Sequence, residues 1–360
     1  MHVLAGLGGA ALILAMLVEF FVAFMLPRRV KRDPRIARGI YTALWWPWRM
    51  AAARLSPAAE DTMLGFFGPL ALLLQLVVWV LGLMVGFALL QWAFGSKLGA
   101  GPHSFGDDLY FSSGAFLSAA VSGAPIGAAA KVLSLLEAAT GVGVLFIVIG
   151  YLPSVYAAFS RREVAVSQLA TRAGTPPTAV HLLRRIAEGD RWNQLRDYLG
   201  EAEAWVAELM ETHLSYPLLA YYRSQHVNQN WLAALTTIVD TSAAVVAALP
   251  EGDPAIAEQT YGIGRHALSD LAHVFHVRPG DANRLTDEAF DSVWNALVAH
   301  ERVETDPETM RRRLDHLRAD YEPNAIGLSI ALALPLPAWA PGEHDRRAPR
   351  PLRRRYGVTA

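Results

Sequence analysis

Apolar positions in this chain fall into two regimes. Up to about residue 163 they form long runs separated by basic or polar stretches, and from residue 178 onward they recur at spacings of three and four. Val3 to Leu26 is mostly Ala, Leu, Val, Phe and Met, interrupted by Glu19, and is long enough to cross a hydrocarbon core of about 30 Å. Phe66 to Phe94, broken at Gln75, is a second such run, and a third extends from Val132 to about Ser160. Each predicts a spanning helix. Between the second and third, Leu109 to Val121 is apolar but too short to span, which places it in the range of re-entrant or interfacial elements. Asp107 and Asp108 precede it and are placed to cap a helix at its positive end. The small residues of Ala119 to Gly127 can then form extended backbone. Non-helical backbone survives at membrane depth only when buried in protein or lining water, so this series predicts a pore or cavity.

Charge sets the expected orientation. Arg28, Arg29, Lys31, Arg32, Arg35, Arg38, Arg49 and Arg54 follow the first run, and Ser160-Arg161-Arg162-Glu163 ends the third, whereas the intervening outer side holds only Lys97 and Lys131 as basic residues. The positive-inside rule therefore puts the N-terminus outside and the C-terminal half in the cytoplasm, in a multi-pass protein of the cell (inner) membrane. The basic residues follow the first run rather than precede it, and no Ala-x-Ala site is present, so a retained helix is expected rather than a cleaved leader. Tyr41, Trp45, Trp46, Trp48 and Arg49 predict a short helix at headgroup level.

In the second half, Trp192, Leu195, Leu199, Ala202, Trp205, Val206 and Leu209 share one helical face, as do Phe290, Val293, Trp294, Leu297 and Val298. Thr175-Pro176-Pro177, Gly252-Asp253-Pro254 and Pro279-Gly280-Asp281 mark boundaries and turns. Trp231 to Leu249 is apolar, but Thr236, Thr237, Asp240, Thr241 and Ser242 dilute it, so a buried core helix is expected. Ile326 to Trp339 contains Pro335 and Pro337, which would break a spanning helix, so it should pack on the same domain. The expected architecture is all-α, combining membrane helices and a re-entrant short helix with a C-terminal helical domain. It comprises a transmembrane helix over 1–26, a basic interfacial segment over 27–65 and a pore-like module over 66–163. Within that module the outer helix covers 66–94, the short helix and loop 107–127, and the inner helix 132–160. A helical cytoplasmic domain over 175–341 and a basic, disordered tail over 342–360 follow.

Composition narrows the function. Of 360 residues 53% are hydrophobic, and the mean hydropathy of +0.24 is too apolar for an ordinary soluble domain. A formal net charge of -1 leaves no excess of cations for a nucleic-acid partner. The absence of cysteine removes disulfides, thiolate catalysis and Cys-based metal sites. His266, Asp270 and His273, with His276, form a weak metal-like constellation, and ordinary histidines account for it better because no supporting Glu motif accompanies them. Neither a phosphate-binding Gly-rich loop nor a catalytic triad can be assembled, so no enzyme activity and no cofactor are expected.

Residues Asp108-Leu109-Tyr110-Phe111-Ser112 with the extended stretch after them, followed by Leu133-Ser134-Leu135-Leu136-Glu137-Ala138 and Gly141-Val142-Gly143, resemble the pore helix, filter and inner helix of the two-transmembrane potassium channel family. Tyr151 to Glu163 resembles the cytoplasmic end of that inner helix in bacterial members. His213-Leu214-Ser215-Tyr216-Pro217, Arg223-Ser224-Gln225-His226 and Trp231-Leu232-Ala233-Ala234-Leu235 resemble the cytoplasmic part of a bacterial potassium-channel-like subgroup. The resemblance implies a homotetramer in the bilayer, with a monovalent cation as its cargo. It places the filter equivalent at Ser118, Ala119, Ala120, Val121, Ser122 and Gly123, and a gating hinge at Gly141, Gly143, Gly150 and Pro153, where close helix packing accounts for the small residues equally well and Pro153 is the stronger kink candidate. The family's filter reads Thr-Val-Gly-Tyr-Gly, whose glycines allow the backbone to turn successive carbonyls toward the ion. Ala and Ser stand at those positions here, so residue by residue the segment supports a degenerate pore. Glu137, a carboxylate inside the third run, is expected to brace the pore loop. A second expectation follows from the same departure: a non-conducting sensory or interaction protein on a vestigial pore scaffold.

Overall fold

The computed structural model describes residues 2–24, 36–94, 104–119, 125–187, 192–226, 228–249, 255–299, 303 and 305–342. Ala120, Val121, Ser122 and Gly123, Lys97, the basic residues 28–35, the turn 252–254 and the tail from 343 lie outside them. Among the described residues the structure is helical, without β-strands, and the chain divides into two units, 1–157 and 158–360.

The first unit contains α1 (His2–Phe24), α2 (Ile36–Ala52), α3 (Pro57–Ala93), α4 (Phe105–Phe116) and the first part of α5 (Ala128–Ala173). α1, α3 and α5 are each long and apolar enough to cross a membrane. α3 has 37 residues and α5 has 46, about 55 and 70 Å at 1.5 Å per residue, so both exceed the hydrocarbon thickness. α3 starts at Pro57, ahead of the apolar run at Phe66, because proline suits the first turn of a helix and Glu60 lies in that turn. α1 and α3 meet at Gly9 and Gly86, where a Cβ on Gly9 would come within 2.6 Å of the Gly86 carbonyl. Small residues thus set the helix approach, as membrane packing favours. Met16, Phe20, Trp79, Leu83, Met84, Phe116 and Val144 fill the space between the helices. Leu70, Leu73, Val77 and Leu81 on α3, and Leu135, Leu145, Phe146 and Ile149 on α5, are exposed, as lipid-facing side chains must be. α2 packs its aromatic face on α3, with Trp45 against Phe67 at 4.8 Å and Trp48 Nε1 donating to the Met63 carbonyl at 2.9 Å. Trp46 is left exposed.

The second unit contains the end of α5, then α6 (Ala179–Ala187), α7 (Trp192–Ser215), a 3-10 turn (Pro217–Tyr221), α8 (Trp231–Ala248), α9 (Ala255–Val274), α10 (Asp287–Val298) and α11 (Pro307–Leu332). It begins within α5, before residue 175, because Val166, Leu169 and Ala173 pack into its core. α8 has the composition of a membrane span, yet 94% of its apolar window is buried against the other helices of this unit. Its hydroxyl side chains are satisfied within the helix: Thr236, Thr237, Thr241 and Ser242 donate to carbonyls one turn back, and Asn230 Oδ1 caps Ala233 N–H at 2.7 Å. α11 stops at Leu332, with Ala333 in the left-handed region at φ 53°. The proline-containing segment after it lies on the core: Asn230 Nδ2 donates to the Pro335 carbonyl at 3.0 Å, and Trp339 is fully buried.

Candidate functional site

The short helix of the first unit organises its polar side chains. The Asp107 carboxylate accepts hydrogen bonds from the Ser104 N–H and hydroxyl, each at 2.8 Å, which starts α4 ahead of Leu109. At its other end Ala119 N–H reaches the Gly114 carbonyl at 2.8 Å and Ser118 N–H reaches that of Ala115 at 3.1 Å. With Ser118 at φ 52°, these two bonds make a Schellman motif. Two of the filter-equivalent residues, Ser118 and Ala119, therefore close α4, while Ala120, Val121, Ser122 and Gly123 lie outside the described residues.

α4 is fixed between its neighbours at both ends. Phe105 stacks edge-on against Trp92 of α3 at 5.7 Å. The Phe116 carbonyl lies against Gly141 of α5, so closely that any Cβ there would overlap it. Of the four expected hinge residues, Gly141 is thus a packing contact, whereas Gly143 and Gly150 have open space where a Cβ would stand. Pro153 lies within α5, and the next residue, Ser154, donates its hydroxyl to the Gly150 carbonyl at 3.0 Å.

Glu137 is buried without exposure, together with Gln91 on α3 and Asp108 and Ser112 on α4. Gln91 Nε2 donates to the Ala130 carbonyl at 3.3 Å and to Ser134 Oγ at 3.2 Å, which ties the end of α3 to the start of α5. The Ser112 hydroxyl neighbours the Glu137 carboxyl. Both carboxyl oxygens, Ser112 Oγ and Gln91 Oε1 have no hydrogen-bond partner among the described residues.

The histidine constellation separates into two pairs. His266 Nε2 lies 3.5 Å from Asp270 Oδ2, whereas the His273 ring stacks on His276 at 6.1 Å. Among the described residues no group of three or more potential ligands is placed to hold a metal ion. The helix carries these side chains, but His276 is past its end in a left-handed turn at φ 51°. His273 and His276 instead border a pocket of about 390 Å³ with Ser269 and Asn324.

Two buried clusters of the second unit have no counterpart among the sequence-derived sites. Arg162, at the end of the predicted inner helix, is 3% exposed. Its guanidinium donates to the Leu219 and Tyr222 carbonyls, both at 2.8 Å, and Nη1 lies 3.3 Å from His213 Nε2. His213 Nδ1 faces the Leu209 carbonyl at 2.8 Å, an arrangement in which Nδ1–H donates and Nε2 accepts from the arginine. His213 is therefore held neutral: burial, and then the Arg162 charge, push its pKa down to about 3, against the opposing Leu209 hydrogen bond. An unfolded histidine titrates near 6.5, so this contribution to stability is complete above pH 6.5 and is lost as pH falls toward 3. Urea denaturation of the full-length protein should show about 2 kcal/mol more loss between pH 7 and pH 5 in the wild type than in His213→Gln. Parallel pH profiles would contradict this account of His213.

The other cluster centres on Asp240 of α8. Arg284 grips its carboxylate with two nitrogens, at 2.8 and 3.0 Å, and Tyr321 donates its hydroxyl at 2.6 Å. Arg284 also pairs with Glu322 at 2.9 Å, and Glu322 with Arg318 at 2.5 Å. Both guanidinium groups lie over the Trp339 ring, at 5.9 and 5.8 Å. Burial opposes the charge on Arg284, but Asp240 overcomes it and raises its pKa; burial and then Asp240 hold the Tyr321 hydroxyl protonated.

These features define an integral membrane protein that is helical among the described residues, with membrane-capable helices in its first unit and a helical second unit. The chain is 24% identical over 268 residues to the uncharacterized membrane protein YdjJ of Bacillus subtilis (strain 168), an alignment covering 73% of this chain and 71% of that one. No protein-family model and no solved structure matches it.

Proposed function

We propose that the chain is a potassium-channel-like pore subunit, four copies of which enclose a degenerate path for monovalent cations, with no catalytic activity. In this reading the N-terminus is outside, the unit from 158 onward is cytoplasmic, and residues 117–127 form a re-entrant loop. One geometric relation supports it. α4 starts beside Trp92 at the end of α3 and ends beside Gly141, about 20 Å along α5 from its first residue at 1.5 Å per residue. Gln91 holds the start of α5, at Ala130 and Ser134, near the level where α4 began. The chain after α4 has to return by that distance, which residues 117–127 can cover when extended. At 12 residues, or about 18 Å, α4 is too short to cross a bilayer. Four such loops around an axis would surround a path that a single copy leaves open.

A second reading, a non-conducting sensory or interaction protein on the same scaffold, is favoured by Ser118. Its left-handed conformation is used to close α4, and Ala119 completes that cap. The two differ in flux. Purified protein in liposomes, loaded with a cation-sensitive dye, is expected to pass potassium or sodium above protein-free vesicles, and replacement of Ala119 to Ser122 should abolish the signal. A trace level with empty vesicles would transfer the assignment to the scaffold reading.

A further inference from the structure

We propose that Gln91, Ser112 and Glu137 form an intramembrane binding site for a small monovalent cation of sodium size, separate from the loop at 117–127. Each residue comes from a different helix, and all three are without exposure in the part of the chain that meets lipid. The atoms of these three residues left without a hydrogen bond are all oxygens: Gln91 Oε1, Ser112 Oγ, and Oε1 and Oε2 of Glu137. Oxygen donors of this kind suit hard cations, whereas nitrogen or sulfur ligands would suit transition metals. An ionised carboxylate cannot stay buried unpaired, and no basic side chain pairs with Glu137 among the described residues. A bound monovalent ion would neutralise one carboxylate, while a divalent ion would leave an uncompensated charge in a low-dielectric site. The close approach of α4 to α5 at Gly141 and the Gln91 bridge to Ala130 and Ser134 restrict the space, which favours a dehydrated sodium ion over a larger one. Asp108, one turn before Ser112 and equally buried, has interactions of its own and is not needed as a ligand. Such an ion would bridge three helices and stabilise the first unit by mass action.

The test uses the full-length protein in detergent, with thermal unfolding followed at constant ionic strength in sodium, potassium or choline chloride. Wild type is expected to show a saturable rise of Tm with sodium over choline. Ser112→Ala should raise the half-saturating sodium concentration about tenfold, the equivalent of about 1.4 kcal/mol, and Glu137→Gln should remove the rise. Equal melting in sodium and choline, or a sodium increment undiminished in Glu137→Gln, would overturn the site and leave a neutral, structural carboxyl. Should Glu137→Gln fail to fold, carbodiimide labelling of Glu137 in wild type, located by mass spectrometry, decides. Protection by sodium and not by choline supports the ion; labelling indifferent to sodium, or absent in both salts, counts against it. Binding is read on solubilised protein and needs no conduction, so a flat flux trace leaves this site standing and a failed site leaves the pore reading untouched.

Discussion

Asp240→Ala in the full-length protein is expected to destabilise the second unit by about 3–5 kcal/mol, the scale for removing one partner of a buried ion pair. Asp240 is 1% exposed, so its deletion leaves a fully buried Tyr321 hydroxyl and a largely buried Arg284 without their carboxylate partner. Arg284 loses both nitrogen contacts to the carboxylate and retains Glu322 as its acidic partner, already shared with Arg318. The Tyr321 hydroxyl, fully buried, loses its acceptor. Tyr321→Phe removes only the donor and should cost less, about 1.5–3 kcal/mol for a hydrogen bond to a charged group. Urea unfolding followed by tryptophan fluorescence should therefore rank wild type, Tyr321→Phe and Asp240→Ala in that order. Wild-type stability in Asp240→Ala would mean that the cluster is dispensable. A large loss should also release the segment 333–342, because Trp339 lies beneath the two guanidinium groups and Arg284 donates to the Pro337 carbonyl at 3.1 Å.

How much of this was legible in the sequence depends on the distance over which each signal acts. The spanning helices are composed of contiguous apolar residues, a property of a window, so α1, α3 and α5 appear without knowledge of the fold. The core assignment of α8 follows from its interspersed hydroxyl groups, each of which bonds to a carbonyl one turn back on its own helix. α4 was located by its acidic start, although Ser104 places the cap earlier than Leu109 suggests. What the sequence conceals is pairing between remote residues. His213 and Arg162 stand 51 positions apart, and Asp240 and Tyr321 stand 81 apart. Asp240 reads as a dilution of an apolar run, and nothing beside it announces Arg284. The histidine spacing sets neighbours along one face of α9, but His276 lies past the end of that helix, and ligand convergence requires side-chain direction as well as spacing.

Gly141 separates a hinge from a packing contact, and its replacement carries the other large expected effect. Gly141→Val should prevent the first unit from closing, because any Cβ there overlaps the Phe116 carbonyl, a backbone atom fixed in the last turn of α4. Overpacking of a tight contact costs about 1–3 kcal/mol when neighbours can yield. Here the neighbour is backbone held by the Ser118 and Ala119 hydrogen bonds, so the upper end of that range is the expectation. Gly143→Ala and Gly150→Ala meet open space and gain the helix propensity of alanine, about 1 kcal/mol over glycine in soluble helices, so they should be neutral or mildly stabilising. Thermal melting in detergent and limited proteolysis at 117–127 measure both classes of variant. If all three glycines served only as flexible points along α5, the three substitutions would act alike on function and spare the fold. A selective collapse at Gly141 would instead mean that α5 holds α4 in position. Any bending of α5 would then fall on the turns beyond this contact, where Gly150 and Pro153 lie.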